Sequence, residues 1–250
     1  MQNLNVELYP HENQFVQDAY DALITNLFAC DPVPRTICIT GNAPGVGKTT
    51  ISINLAISYV MTGRRALLID TDIRKLGKYK RLSDDELLGL SDFLADTDEQ
   101  NINISDIIAA TNVKDLAVIT SGKAEVRNPL GMFYSPKFEF LLKESSEFFD
   151  LVIVDTSSLD VNADSSVITT KVDGTLLVVQ LDDSTKALER NIERLRSMGT
   201  NIIVTILNKI PKNEYKTHME FYDYSHTGIS KKKQWRLPFT FPFPFRQQPD

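Results

Sequence analysis

Cysteine is nearly missing from this chain. Cys30 and Cys38 are the two thiols in 250 residues, too few for a disulfide framework and without the paired spacing of a zinc site. Both fit a reduced cytosol as buried or unreactive thiols. No uncharged apolar stretch reaches the roughly 18 residues that span a bilayer, and no N-terminal apolar run has the form of a signal peptide, so a cytoplasmic location is expected. An excess of basic residues is absent too: 27 Lys and Arg against 33 Asp and Glu leave a formal charge of −6. A nucleic-acid partner is therefore not expected, because a phosphate backbone calls for a basic face. Internal repeats are also lacking, which excludes a solenoid or propeller.

What the chain does have is one glycine-rich stretch in an informative place. Ile37-Cys-Ile-Thr-Gly-Asn-Ala-Pro-Gly-Val-Gly-Lys-Thr-Thr50 reads as a buried strand, a loop and the first turn of a helix. Backbone N–H groups of such a loop and the positive end of the helix face an anion. Lys48 adds a mobile charge, and the Thr49 hydroxyl suits Mg2+. The expected ligand is a nucleoside triphosphate, held by Gly45, Val46, Gly47, Lys48, Thr49 and Thr50. The strict pattern G-x-x-x-x-G-K-[ST] is not met, since Asn42 stands where its first glycine belongs and Gly41 comes one residue early. A strand before the loop and an apolar helix over 49–61, stopped by Gly63, complete the context.

Strand-like runs over 36–40, 66–70, 116–120, 151–155, 175–180 and 202–207 alternate with helical patterns. Four are continuous Val/Ile/Leu-rich runs, as strands buried on both faces require. The pattern predicts an α/β fold, a mostly parallel sheet with helices on both faces. Between the last two strands, Ser184 as cap, Leu188, Ile192 and Leu195 on one face, and Gly199 as stop mark a crossover helix. Periodicity ends after Ile210. One nucleotide-binding domain over residues 1–210 and a flexible tail over 211–250 are expected, the tail closing on Leu237-Pro-Phe-Thr-Phe-Pro-Phe-Pro-Phe245, whose prolines exclude a helix or central strand.

Three carboxylates at strand ends give the chemistry its direction. Asp70 and Asp72 lie in Leu67-Leu-Ile-Asp-Thr-Asp-Ile-Arg74, and Asp155 ends Phe149-Asp-Leu-Val-Ile-Val-Asp155. Carboxyl ends of parallel strands line the ligand crevice, so all three are expected near Lys48. A hard cation bound to triphosphate oxygens needs such ligands, and phosphoryl transfer needs a group to position the attacking oxygen. Thr156 follows Asp155 where many motor ATPases carry a water-activating glutamate. Fast hydrolysis is thus not the expected purpose, and a base, if the chemistry uses one, comes from elsewhere, with Asp70 or Asp72 the best candidate.

The loop, the Asp70 stretch and the Asp155 stretch together resemble the Walker A, A′ and B motifs of bacterial tyrosine kinases. These are the cytoplasmic kinases of capsule and exopolysaccharide synthesis, in the P-loop branch that also holds chromosome-partitioning and septum-site ATPases. Gly89-Leu-Ser-Asp-Phe-Leu94, Ser121-Gly122 with Asn128-Pro129, and Asp164 followed by Val172-Asp-Gly-Thr-Leu-Leu-Val-Val extend the similarity over about residues 15–210. The resemblance implies ATP and Mg2+ as cofactors and Lys48, Asp70 and Asp72 as catalytic residues, with Asp70 as base. It implies Thr49, Asp72 and Asp155 as the metal set, and Asn208 facing adenine. Ala43 stands where partitioning ATPases carry a second lysine, which tilts the choice toward a kinase.

Two departures accompany the resemblance. Asp18, Asp21 and Ile24 fall where the family has a glutamate and two arginines for ring assembly, and Ser157 and Ser158 replace prolines. Tyr215, Tyr222 and Tyr224 are the phosphoacceptor candidates in the tail, in reach of a neighbouring copy's crevice by self-association. A membrane-spanning adaptor is the implied partner, recruiting the protein to the inner face of the membrane. Lys231-Lys-Lys-Gln-Trp-Arg236 could touch anionic lipid directly, but a solvated basic patch is the plainer reading. The rival functions are a nucleotide-switched ATPase of the partitioning or septum-site kind, and a non-catalytic regulator of polysaccharide assembly.

Overall fold

The computed structural model describes residues 2–4, 14–74, 87–96, 101–181 and 183–210, with side chains from residue 16 onward. Chain contacts separate a unit Met1–Lys209, which carries every element named below, from Ile210–Asp250. The expectations for the tail, including Tyr215, Tyr222, Tyr224 and the Lys231 cluster, lie outside the described residues.

In chain order the elements are β1 (Gln2–Leu4), α1 (Gln14–Phe28), β2 (Thr36–Gly41), α2 (Lys48–Val60), β3 (Ala66–Asp70), α3 (Leu90–Ala95), α4 (Ile104–Ile107) and β4 (Ile108–Thr111). They continue with β5 (Leu116–Ile119), α5 (Pro129–Phe133), α6 (Pro136–Phe148), β6 (Leu151–Asp155), α7 (Asp164–Ile168), β7 (Gly174–Gln180), α8 (Thr185–Ser197) and β8 (Ile202–Asn208). The strands form one sheet in the order β1-β4-β5-β3-β6-β2-β7-β8. Every pairing is parallel except β4 with β5.

All six strands read from the sequence are present, with ends shifted by at most one residue. The two extra strands, β1 and β4, were invisible to hydrophobic pattern because each is too short for a period to register: three and four residues. β4 exists through its partner. A tight turn joins it to β5, in which Asp115 takes φ 65° and Thr111 Oγ1 donates toward Leu116 O at 2.9 Å.

Alternation along the buried strands sends side chains to two cores. Ile37, Ile39, Leu68 and Ile153 meet Leu23, Ile24 and Leu27 of α1 and Ile51 and Leu55 of α2. Their neighbours Cys38, Leu67, Ile69, Val152 and Val154 face Phe93, Phe133, Phe138 and Leu141 on the opposite side. Leu188, Ile192 and Leu195 of α8 pack on Leu177 and Val179, as the helical period predicts. Ile24, at a position where the family pattern has an arginine, is 4% exposed and belongs to the core shared with α2.

Cys38 shows what this burial does to chemistry. Its thiol is fully enclosed, and burial pushes its pKa from about 9.0 up to about 12. The raised value means the native state holds the proton more tightly. Its contribution to stability is complete below pH 9 and is lost as pH climbs toward 12. A disulfide reagent at pH 8 is therefore expected to label Cys30 alone in the native protein and Cys38 only after denaturant is added. Rapid labelling of Cys38 in the native state would contradict this enclosure.

Candidate nucleotide site

The helices following β2 and β6 leave on opposite faces, α2 toward one core and α7 toward the other. A crevice opens where two neighbouring parallel strands part in this way. The loop of residues 42–47 stands at its mouth.

Asn42 explains why the loop can begin without a glycine. Glycine is required where φ is positive, and Asn42 is not among the positive-φ residues, whereas Gly45 (φ 78°) and Gly47 (φ 99°) are. The Asn42 side chain instead anchors the loop. Its Oδ1 accepts from Asn191 Nδ2 of α8 at 3.1 Å, and Asn191 also donates to Asp160 Oδ1 at 3.2 Å. Gly41 is needed for another reason: a Cβ there would stand 2.6 Å from Val178 O on β7.

The first turn of α2 carries no side-chain cap and no acidic residue, so its leading N–H groups remain for an anion. Nothing within 4 Å would meet a Cβ on Gly45, which leaves the loop crest open to a ligand. Lys48 is 7% exposed and its Nζ donates to Ala43 O at 3.4 Å, spanning the loop from end to start. Asn208, at the end of β8, donates through Nδ2 to Val46 O at 2.8 Å. It buttresses the far wall of the loop.

Across the crevice, Asp155 is wholly buried at the end of β6, with both carboxylate oxygens engaged by α2. Thr49 Oγ1 donates to Oδ2 at 2.6 Å and Ser52 Oγ to Oδ1 at 3.0 Å. Asp70 is in register with Asp155 on the neighbouring strand, so both side chains point to the same face of the sheet. Asp70 Oδ1 accepts from the Asp72 N–H at 2.9 Å. Thr71 ties the same stretch to β6, through N and Oγ1 to Asp155 O at 3.1 and 2.7 Å. Lys48, Thr49, Asp70, Asp72 and Asp155 are thus brought to one end of the sheet by three adjacent strands and the helix that crosses them.

These donors fit a magnesium nucleotide. Among the described residues no three His, Cys, Asp or Glu side chains cluster to hold a metal by themselves. Mg2+ ordinarily takes one or two carboxylates together with phosphate oxygens and water, which is what a hydroxyl at 49 and carboxylates at 72 and 155 offer. The residue after Asp155 has a different task. Thr156 is completely buried and its Oγ1 donates to Ile39 O at 3.0 Å, across the strand junction. Of the two serines replacing the family's prolines, Ser157 builds a polar seat, its Oγ donating to Asn162 Oδ1 at 3.0 Å and its O accepting from Ser165 Oγ at 2.7 Å.

Residues 34–208 match the AAA domain family. A tyrosine-protein kinase, CpsD of Streptococcus pneumoniae, is 31% identical over 212 residues, covering 82% of this chain and 90% of that kinase. The chain belongs to the bacterial tyrosine-kinase family. Among solved structures, the kinase domain of the Escherichia coli tyrosine kinase ETK superposes with a TM-score of 0.71 at 25% identity, over 88% of this chain and 80% of that one. The MinD cell division protein of Aquifex aeolicus shares the fold alone, with a TM-score of 0.57 at 22% identity over 74% of this chain and 73% of its own.

Within the family frame, sequence reasoning missed three participants that geometry supplies: Ser52, Asn191 and the pairing of Arg74 with Asp164. Ser52 was findable in principle, because residues 48, 49 and 52 share a helix face at three- and four-residue spacing. Asn191 and Arg74 act over distances that no local pattern encodes.

Proposed function

We propose that the protein transfers the γ-phosphoryl group of ATP to tyrosine hydroxyls and regulates the synthesis of a capsule or exopolysaccharide. The observation that carries this reading is the combination of the intact Lys48, Thr49, Asp70, Asp155 arrangement with 31% identity to a tyrosine-protein kinase over most of both chains. The open loop crest at Gly45 and the uncapped α2 supply N–H groups for the phosphates, and Lys48 adds charge. Thr49, Asp72 and Asp155 would hold Mg2+, which when bound neutralises charge on the β- and γ-phosphates. The tyrosine oxygen bonds to the γ-phosphorus as the bond to the β–γ bridging oxygen breaks. ADP leaves with that electron pair, and the tyrosine proton passes to the Asp70 carboxylate.

Asn208, which donates to Val46 O beside the loop, is the proposed contact for adenine. Tyr215, Tyr222 and Tyr224 are the proposed acceptors, reached in a second copy of the chain. No described helix is long and apolar enough to cross a membrane, and a membrane-spanning adaptor is the proposed partner.

Incubation with Mg2+ and γ-labelled ATP tests this directly, with protein-bound label and free phosphate scored separately and Lys48→Ala as the blank. Label on tyrosine is expected, removed by Lys48→Ala and strongly reduced when Tyr215, Tyr222 and Tyr224 are all changed to Phe. Free phosphate with no protein label would replace the kinase by a switch ATPase, and neither product, with an adaptor fragment present, would leave a nucleotide-binding regulator.

A further inference from the structure

Arg74 stands two residues beyond Asp72, where the chain has left β3 and runs along the carboxyl edge of the sheet. Its guanidinium engages the Asp164 carboxylate with two nitrogens, Nε to Oδ2 and Nη2 to Oδ1, the latter at 2.9 Å. The Asp164 side chain is 6% exposed and that of Arg74 33%, so the carboxylate is enclosed while the guanidinium reaches it from the solvent side. The carboxylate raises the Arg74 pKa above its ordinary value. Planar two-bond pairing of this kind fixes direction as well as distance.

The Asp164 end is itself held. Its N–H donates to Asn162 Oδ1 at 3.1 Å, the same oxygen that accepts Ser157 Oγ at 3.0 Å, and Ser157 lies two residues after Asp155. At the other end of the stretch, Thr71 is bonded through N and Oγ1 to Asp155 O. The segment from residue 71 to 74 is therefore fastened at one end to the last residue of β6 and at the other to α7, with Ile73 buried in the core between them. Asp72 lies between the fastenings, and its N–H reaches back to Asp70 Oδ1.

We propose that Arg74, acting through Asp164, is a positioning residue that sets where the Asp70 and Asp72 carboxylates stand relative to Asp155. The inference rests on the role given to these carboxylates under the proposed function. Without the Arg74–Asp164 pair the stretch keeps the Thr71 bonds and the buried Ile73 side chain but loses the fork that orients its far end, so the Asp72 carboxylate loosens, while the phosphate loop, anchored separately by Asn191 and Asn208, would keep its shape. Binding of the phosphates would then persist as metal placement failed. Loss of an outer support of this type ordinarily costs about 10- to 100-fold in metal affinity or activity.

The test compares Arg74→Gln, Arg74→Lys, Asp164→Asn and the Arg74→Gln/Asp164→Asn pair with the wild-type chain. Three quantities are read: the transfer rate against ATP concentration, nucleotide affinity by calorimetry with Mg2+ and with EDTA, and the melting temperature. Expected are a kcat about 10- to 100-fold lower in Arg74→Gln, unchanged affinity in EDTA, a smaller gain in affinity on adding Mg2+, and a KM for Mg-ATP raised by the factor that this gain loses. Arg74→Lys, which keeps the charge but not the two-bond fork, should fall between, and the double variant should be no worse than the poorer single one. Additive single effects, or an affinity in EDTA that falls as far as the rate, would overturn the proposal. If the wild-type chain transfers no phosphoryl group, the kinase reading fails. The Mg2+-dependent gain in affinity then decides the positioning role alone: a gain unchanged in all variants sinks it.

Discussion

Replacing Asp155 by asparagine is expected to lower kcat for phosphoryl transfer by about 10²–10³-fold, the scale on which a single electrostatic stabiliser acts at a reaction centre, while leaving the protein folded. Asparagine has the shape of aspartate, so the fully buried position at the end of β6 keeps its packing. The hydroxyls of Thr49 and Ser52, which donate to the two carboxylate oxygens at 2.6 and 3.0 Å, can rotate to meet an amide. What is lost is the negative charge held against Thr49 and Ser52 at the start of α2, which a hard cation needs. Steady-state rates at saturating ATP, read beside thermal melting, separate the two effects. A wild-type kcat in this variant would remove Asp155 from the metal set. Asp155→Ala should behave differently: it strands the Thr49 hydroxyl, whereas Ser52 Oγ keeps its bond to Lys48 O, and it costs about 1–3 kcal/mol of stability for an unsatisfied group.

Gly47→Ala should be the most damaging single methyl in the loop. Gly47 caps α2 with φ 99°, in the left-handed region where a side chain costs about 1–2 kcal/mol. The new Cβ would also fall 2.2 Å from Asn208 Nδ2, forcing that amide away and breaking its 2.8 Å bond to Val46 O. That bond is worth about 0.5–1.5 kcal/mol. A fall in Tm of about 5–10 °C follows for a domain of this size, along with loss of most nucleotide affinity, because α2 and the loop crest no longer point at one anion. Calorimetric melting and nucleotide titration read both effects. The Asn208→Ala variant supplies the internal control: it removes the overlap, so adding Gly47→Ala to it should cost less than adding it to the wild-type chain. Equal costs in both backgrounds would mean that Asn208 does not back the loop.

The central fold was legible because its strands are buried on both faces and so appear as uninterrupted Val, Ile and Leu runs. β3 and β6 were read with their observed ends, and β2, β5, β7 and β8 to within one residue. The chemistry was legible for a related reason. A phosphate loop is a local object, in which strand, loop and helix are contiguous, and glycines at 45 and 47 mark the positive φ angles it requires. Asp70 and Asp155 could be placed beside it because parallel strands in such a sheet end on a common edge.

The rest was not legible, because it depends on contacts between segments far apart in the chain. Asn42 read only as a defect in a glycine pattern; its value lies in Asn191, 149 positions away. Ser157 and Ser158 read as missing prolines, yet Ser157 closes a seat with Asn162 and Ser165. Ile24 read as an absent arginine, and packing makes it a core residue.

The sequence by itself determined the α/β class, the positions of the central strands along the chain, and the phosphate-loop pattern with its candidate residues, since each of these follows from local periodicity or contiguous spacing. Only the tertiary structure decided which carboxylate answers which hydroxyl, what holds the Asp72 stretch against β6, and why the loop tolerates asparagine. Those are questions of direction and distance between segments that the chain brings together only when the sheet has formed.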